Sequence, residues 1–150
     1  MRKIRIGYLA DGGDAGGART HILTLLKNIP RDRFEIYFFA LGSGALSHSI
    51  EKIDNVNLTT YPLKSKLSLN VLKEIKKWAL NANLDILHTH GLKANMYGRI
   101  ALYRSQITII TTYHSNPLYD YDSLIKGIIF ACIDQFTLSR TNYFIAVSYE

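Results

Sequence analysis

The chain changes its period repeatedly along its length, and that alternation limits the fold more than any single residue does. Short apolar or alternating runs read as strands, and the segments between them repeat at helical spacing. The first run, Lys3 to Ala10, stops at Asp11-Gly12-Gly13. Ala18, Ile22, Leu25 and Ile29 then share one face of a helix that Pro30 ends. Phe34 to Ala40 is aromatic and apolar, a buried strand. Leu46 to Ile53 reads as a short helix, and Val56 to Tyr61 as a third strand closed by Pro62. Leu67, Val71, Ile75 and Trp78 mark a helical face, with Lys66, Lys73 and Lys77 on another. Asp85 to His88 is a fourth strand, and Leu92, Met96, Ile100 and Tyr103 form the next apolar stripe. Ile107 to Thr112 is β-branched throughout, a fifth strand. Asp122 or Ser123 is placed to cap a helix from Leu124 to Ser139, with Ile125, Ile129, Cys132 and Phe136 as its core face. Tyr143 to Val147 is the sixth strand. Strands alternating with helices predict an α/β, Rossmann-like, doubly wound and mostly parallel sheet of about six strands, with helices on both faces.

Composition agrees with one such domain. The chain has 150 residues, 47% hydrophobic and 20% charged, within the ordinary globular range. No apolar run approaches the roughly 20 residues of a membrane span. The start shows no signal-peptide core. These features predict a cytoplasmic domain, attached to a membrane at most peripherally, at its inner face. One cysteine, Cys132, excludes an internal disulfide and a multi-cysteine metal site; within an apolar stripe it is expected in the core. The chain stops directly after the sixth strand, so a fragment of a larger protein is expected.

The net charge of +6 is concentrated in the middle third, where residues 64–104 carry eight basic and two acidic side chains. Such a patch suits phosphates or an anionic membrane surface; a solvated helix face is the plain alternative. Nucleic acid is not expected, because Trp78 among Lys73, Lys76 and Lys77 lacks the aromatic interleaving that such binding needs.

Ligands of open parallel sheets lie beyond the carboxyl ends of the strands. Polar or glycine-rich segments occupy four such ends: Asp11 to Gly17, His88 to Gly91, Thr112 to Asn116, and Ser148. The first of these packs four glycines into seven residues before a helix. Glycine allows close backbone approach, and a helix N-terminus offers unpaired N–H groups to phosphate. Neither the dinucleotide-binding fingerprint nor the P-loop pattern is met, and a plain turn is the alternative. His88-Thr89-His90 lacks a third ligand nearby, so a polar strand tip is preferred to a metal site. His114 stands at a strand corner, to bond a ligand or cap its loop.

In this order, the segments resemble the N-terminal domain of family-4 retaining glycosyltransferases of the GT-B fold. Gly16-Gly17-Ala18 with His21 resembles the family's Gly-Gly-x loop and first helix. Asp85-Ile86-Leu87-His88-Thr89-His90 is similar to the Asp-x-x-His-x-His strand. Lys93-Ala94 followed by Gly98-Arg99-Ile100-Ala101 resembles the helix after it, in the form found among transferases of capsule, exopolysaccharide and O-antigen assembly. Thr112-Tyr113-His114 is similar to the Thr-x-His segment, and Ala146-Val147-Ser148 to the closing strand.

The resemblance implies that residues 1–150 are the acceptor-binding domain, with the nucleotide-sugar-binding domain and its Glu-x7-Glu motif absent from this chain. It implies a hexosyl transfer from a nucleotide-sugar to a glycan or lipid-linked acceptor, with no metal or other cofactor. It also implies that the fragment alone is inactive. Donor phosphates would lie against Gly16 and Gly17, with Ser148 also at the donor, and His114 would serve as the catalytic residue beside the donor sugar. Arg19, where many relatives have Glu, His90 and Lys93 are the expected acceptor contacts. Lys66, Lys73 and Lys77 are expected to face the membrane. A stand-alone, non-catalytic binding domain or partner subunit is the competing reading.

Overall fold

A computed structural model describes residues 2–63, 69–114 and 124–147. Strand β1 (Ile4–Asp11) leads into helix α1 (Gly17–Asn28), β2 (Phe34–Leu41), α2 (Ala45–Ile50) and β3 (Val56–Tyr61). Helix α3 (Leu69–Asn81), β4 (Ile86–His90), α4 (Leu92–Ala101) and β5 (Thr108–Tyr113) follow. Helix α5 (Leu124–Thr137), a 3-10 turn (Leu138–Arg140) and β6 (Tyr143–Ala146) close the described chain. The strands form one six-stranded sheet in the order β3-β2-β1-β4-β5-β6, with every neighbouring pair parallel. The Rossmann-like expectation therefore holds. The expected cap residues Asp122 and Ser123, together with Lys66, Leu67 and Ser148, lie outside the described residues.

The alternation of side chains along each strand sorts the core into two layers. Leu9, Phe39 and Leu87 point to the side of α3 and α4, where Val71, Ile75, Ala79 and Met96 meet them. Tyr8, Phe38 and Ile36 point to the other side and pack with Ile22 and Leu26 of α1 and Leu46 and Ile50 of α2. The buried face of α1 is centred on Ile22 and Leu26, both fully buried, while Leu25 and Ile29 of the expected stripe, and Leu23, lie at the margin. Helix α2 is shorter than Leu46 to Ile53.

Helix α4 is no amphipathic surface helix. Eight of its residues are buried, including Asn95 and Arg99, while Tyr103, expected on the stripe, lies past the helix and is half exposed. A Cβ on Gly98 would meet Thr89 Cγ2 at 2.7 Å and Leu87 Cδ2 at 2.9 Å. Glycine there lets α4 lie directly on β4.

Helix α5 reverses its expected face. Ile125 is 71% and Phe136 79% exposed; Ile129 and Cys132 are exposed too. Among the described side chains of α5, Asp134 and Thr137 are buried and Ile133 packs partly against the core. The reason is Arg99, which is fully buried and needs a counter-ion. Its guanidinium donates to Asp134 Oδ1 at 2.6 Å, to the Tyr113 hydroxyl at 2.9 Å and to Thr141 Oγ1 at 2.7 Å. The Tyr113 hydroxyl in turn donates to Asp134 Oδ2 at 2.6 Å. Burial, then the bond to Asp134, pushes that hydroxyl up to about 12. This charged knot ties α4, β5 and α5 together.

Asp85 precedes β4, at the opposite end of the sheet from the carboxyl ends of the strands. It accepts the backbone N–H of Arg5 at 2.8 Å and both arms of the Arg2 guanidinium at 2.8 Å. The acidic residue of the Asp-x-x-His-x-His strand therefore locks the start of β1 to β4.

Candidate functional site

The strand order reverses between β1 and β4, and an open α/β sheet has its ligand crevice at that point. A cleft of about 620 Å³ lies there. Its walls come from Asp11, Asp14 and Gly16 to Ala18 after β1, and from His90 to Ala94 at the junction of β4 and α4. His114 and Val147 complete it. Gly91 turns the chain from β4 into α4 with φ +83°, a conformation that favours glycine.

The glycine loop divides into two parts. A Cβ on Gly12 would collide with the carbonyl of Gly42, and the Gly12 carbonyl accepts the N–H groups of Leu46 and Ser47 at the start of α2. Gly12 is thus a packing glycine. Asp11 Oδ1 accepts the Gly13 N–H at 2.9 Å, and Asp14 Oδ1 accepts the Gly16 N–H at 2.8 Å, so side chains hold the loop's shape. Gly17 differs. Among the described residues no atom lies within 4 Å of a Cβ placed on it. Gly16, the N-cap of α1, has φ −91°, makes no side-chain cap bond, and a Cβ on it would come no nearer than 3.7 Å to any atom. Neither backbone conformation nor packing requires these two glycines. They leave the uncapped N-terminus of α1 bare where it meets the cleft.

Beside that terminus stands a cluster of histidine and tyrosine rings. In the β4–β5 register His90 is opposite Thr112, so His114 emerges just past it. The His90 Nδ1 to His114 Nε2 distance is 3.1 Å, a hydrogen bond. His88 and His90 share a face of β4, with ring centroids 4.1 Å apart. His88 Nε2 is bonded to Thr112 Oγ1 at 2.7 Å. His21, on α1, lies 5.9 Å from His90 and 5.3 Å from His114 between centroids. Tyr8 closes the cluster from β1. Burial lowers His88 to about 4. It also holds His90 well below its ordinary 6.5 and lowers the half-buried His114. These three rings are therefore neutral at pH 7. Among the described residues, no group of three or more His, Cys, Asp and Glu side chains is arranged to hold a metal ion.

The other expected contacts sort as follows. Gly16, Gly17, His90, Lys93 and His114 are gathered on one cleft. Lys93 lines it but is paired with Asp11 Oδ2 at 2.7 Å. Arg19 turns away, its guanidinium donating to Ser49 Oγ of α2 at 2.9 Å. Lys73 and Lys77 lie exposed on α3, opposite its buried Val71, Ile75 and Ala79. The His90–His114 bond was not read from the sequence. Aligning β4 and β5 by their polar ends would have found it, because both strands finish at histidines.

Comparison with known proteins follows this geometry. The fold matches a crystal structure of MurG from Acinetobacter baumannii with TM-score 0.70 at 11% identity, covering 97% of this chain and 41% of that one. It also matches Alr3699/HepE of Anabaena, solved in complex with UDP and glucose, with TM-score 0.62 at 17% identity, covering 95% and 43%. The same Anabaena protein in complex with UDP-glucose gives 0.63 at 16%, with the same coverage. The chain thus spans less than half the length of these structures, and at such identities they show a shared fold. Among curated proteins no sequence matches it. The model of Glycosyltransferase Family 4 matches residues 15–150, which include Gly16, Gly17, the His88–His90 strand and His114, and the chain belongs to that family.

Proposed function

We propose that this chain is the acceptor-side domain of a retaining, GT-B glycosyltransferase, and that its cleft takes the diphosphate of a nucleotide-sugar. The observation that carries this is the pair Gly16 and Gly17. Their missing side chains serve neither packing nor backbone strain, yet they bare an uncapped helix N-terminus beside His114. In transfer, the bond from the sugar's anomeric carbon to the phosphate oxygen breaks, a bond to the acceptor hydroxyl oxygen forms on the same face, and the proton of that hydroxyl passes to the departing phosphate oxygen. Negative charge grows on the departing diphosphate. The N–H groups and dipole of α1 stabilise that charge where it develops. His114, neutral and in the cleft, supplies a hydrogen bond near the reacting centre. The second domain would complete the donor site, and no metal is assigned a role.

A lipid-linked, phosphate-bearing acceptor fits the basic face of α3. Lys73, Lys76 and Lys77 are exposed there, with Glu74 as the acidic neighbour. A UDP-sugar is the first donor to try, because the similar Anabaena structures contain UDP and UDP-glucose.

Gly17→Ala tests the reading in the full-length protein. Alanine suits a helix better than glycine by about 1 kcal/mol at most, so the thermal midpoint should hold or rise. UDP affinity should nevertheless fall by about tenfold, equivalent to about 1.4 kcal/mol. Unchanged UDP affinity in both Gly17→Ala and Gly16→Val would remove the loop from the donor site.

A further inference from the structure

His90 was expected to touch the acceptor, but it is 3% exposed and its Nδ1 is bonded to His114. Its other nitrogen, Nε2, is buried and has no hydrogen-bond partner among the described residues. These facts bear on where the protons sit, because a neutral imidazole carries one N–H and one bare nitrogen. Burial keeps both rings neutral.

Two arrangements are possible for the 3.1 Å contact. If His114 donates from Nε2, then Nδ1 of His90 is the acceptor and His90 must carry its proton on Nε2. That would bury an N–H with nothing to receive it, a rare and costly condition. If His90 donates from Nδ1, its Nε2 is a bare lone pair among rings, the lesser cost. His114 then accepts at Nε2 and carries its own proton on Nδ1.

We propose that His90 is a positioning residue: its Nδ1–H holds His114 in the Nδ1–H tautomer, so that His114 meets its ligand as a hydrogen-bond donor. The nitrogen left to His114 is Nδ1, and the ring lines the cleft. A donor there suits an oxygen acceptor, either a sugar hydroxyl or a phosphate oxygen. Thr112 bonds His88, and the rings of His88, His21 and Tyr8 pack around His90, so the donor ring is fixed from several sides. The inference rests on the proposed function for its use, but not for its geometry.

The test is ring nitrogen NMR on the full-length protein with its histidines labelled with nitrogen-15. The His114 signals are assigned by their loss in His114→Gln. The expected wild-type pattern is a protonated Nδ1 and a bare Nε2. His90→Phe keeps a ring but removes the donor, so His114 should change to the Nε2–H form or a mixture. His90→Asn places an amide N–H near the position of Nδ1 and should restore the wild-type pattern. A protonated Nε2 on His114 in the wild type overturns the proposal, even if neither variant folds. So does a His90→Phe protein whose His114 pattern is unchanged. UDP titration of the wild type tests the donor-site reading separately, since a protein that binds no UDP strikes that reading and leaves the ring assignment intact.

Discussion

Burial of neutral histidines and of a charged arginine gives two residue-scale predictions of opposite character. His88 is lowered to about 4, mainly by burial, with the neighbouring His21 and His114 adding to the effect. In the unfolded chain its value returns to about 6.5. Between those values the unfolded chain binds more protons than the folded one, so stability falls as pH falls. The contribution is complete above about 6.5 and is lost progressively toward 4, worth about 3 kcal/mol for His88. His90 and His114 move in the same direction. The thermal midpoint should therefore drop steadily from pH 7.5 to 4.5, and less so in His88→Asn. A midpoint that does not move over this range would contradict the buried, neutral assignment. Arg99 is the reverse case, a buried charge that is fully paired. Arg99→Ala strands Asp134 and should cost about 3–5 kcal/mol in urea unfolding. Arg99→Met with Asp134→Leu removes both charges and should cost clearly less.

At the scale of elements, periodicity located each helix and strand, but it did not say which side of a helix faces inward. For α3 the apolar stripe and the buried stripe agree at Val71 and Ile75, because sheet residues of matching size wait beneath them, and for α1 the buried face is centred on Ile22 and Leu26. For α5 they disagree. Ile125, Ile129, Cys132 and Phe136 form a regular stripe, yet Asp134 faces in because Arg99 lies below it. A pairing between residues 35 apart leaves no local pattern. The same limit hid the His90–His114 bond, although both residues were legible as strand-end groups. The bond from Arg19 to Ser49 was hidden for the same reason, since its distance from the Gly-Gly pair says nothing of a partner 30 residues on. Helix α3 carries the prediction at this scale. Each lysine near an anionic leaflet contributes about 1 kcal/mol, within a Debye length of the surface. The full-length protein should sediment with vesicles rich in phosphatidylglycerol at low salt and detach at high salt. Lys73→Glu with Lys77→Glu should abolish the binding. Absence of binding at low salt would leave a soluble acceptor as the reading.

The whole molecule has an uneven surface, and its unevenness can be measured. Around β1, β2 and β4 the core is closed, with Leu9, Ile36, Phe38 and Leu87 wholly buried. At the β6 end it is open: Ile125, Ile128, Ile129 and Phe136 of α5, with Tyr143, Phe144 and Ile145 of β6, are all exposed. Single apolar residues on a surface are ordinary, but monomers rarely expose contiguous apolar patches larger than a few hundred Å². Strand β6 is also an edge of the sheet, with one side of its backbone unpaired by any described strand. An apolar face joined to an open edge favours association between copies when the 150-residue chain is studied on its own. Sedimentation velocity should then show a mass that rises with concentration in the micromolar range. Ile125→Asn with Phe136→Asn removes the two most exposed large apolar side chains among the described residues of α5, neither of which lines the cleft. That double variant should run as a monomer with an unchanged far-ultraviolet spectrum. If the unmodified chain is already monomeric at every concentration, the α5 and β6 face is not adhesive, and its exposure has no consequence for association.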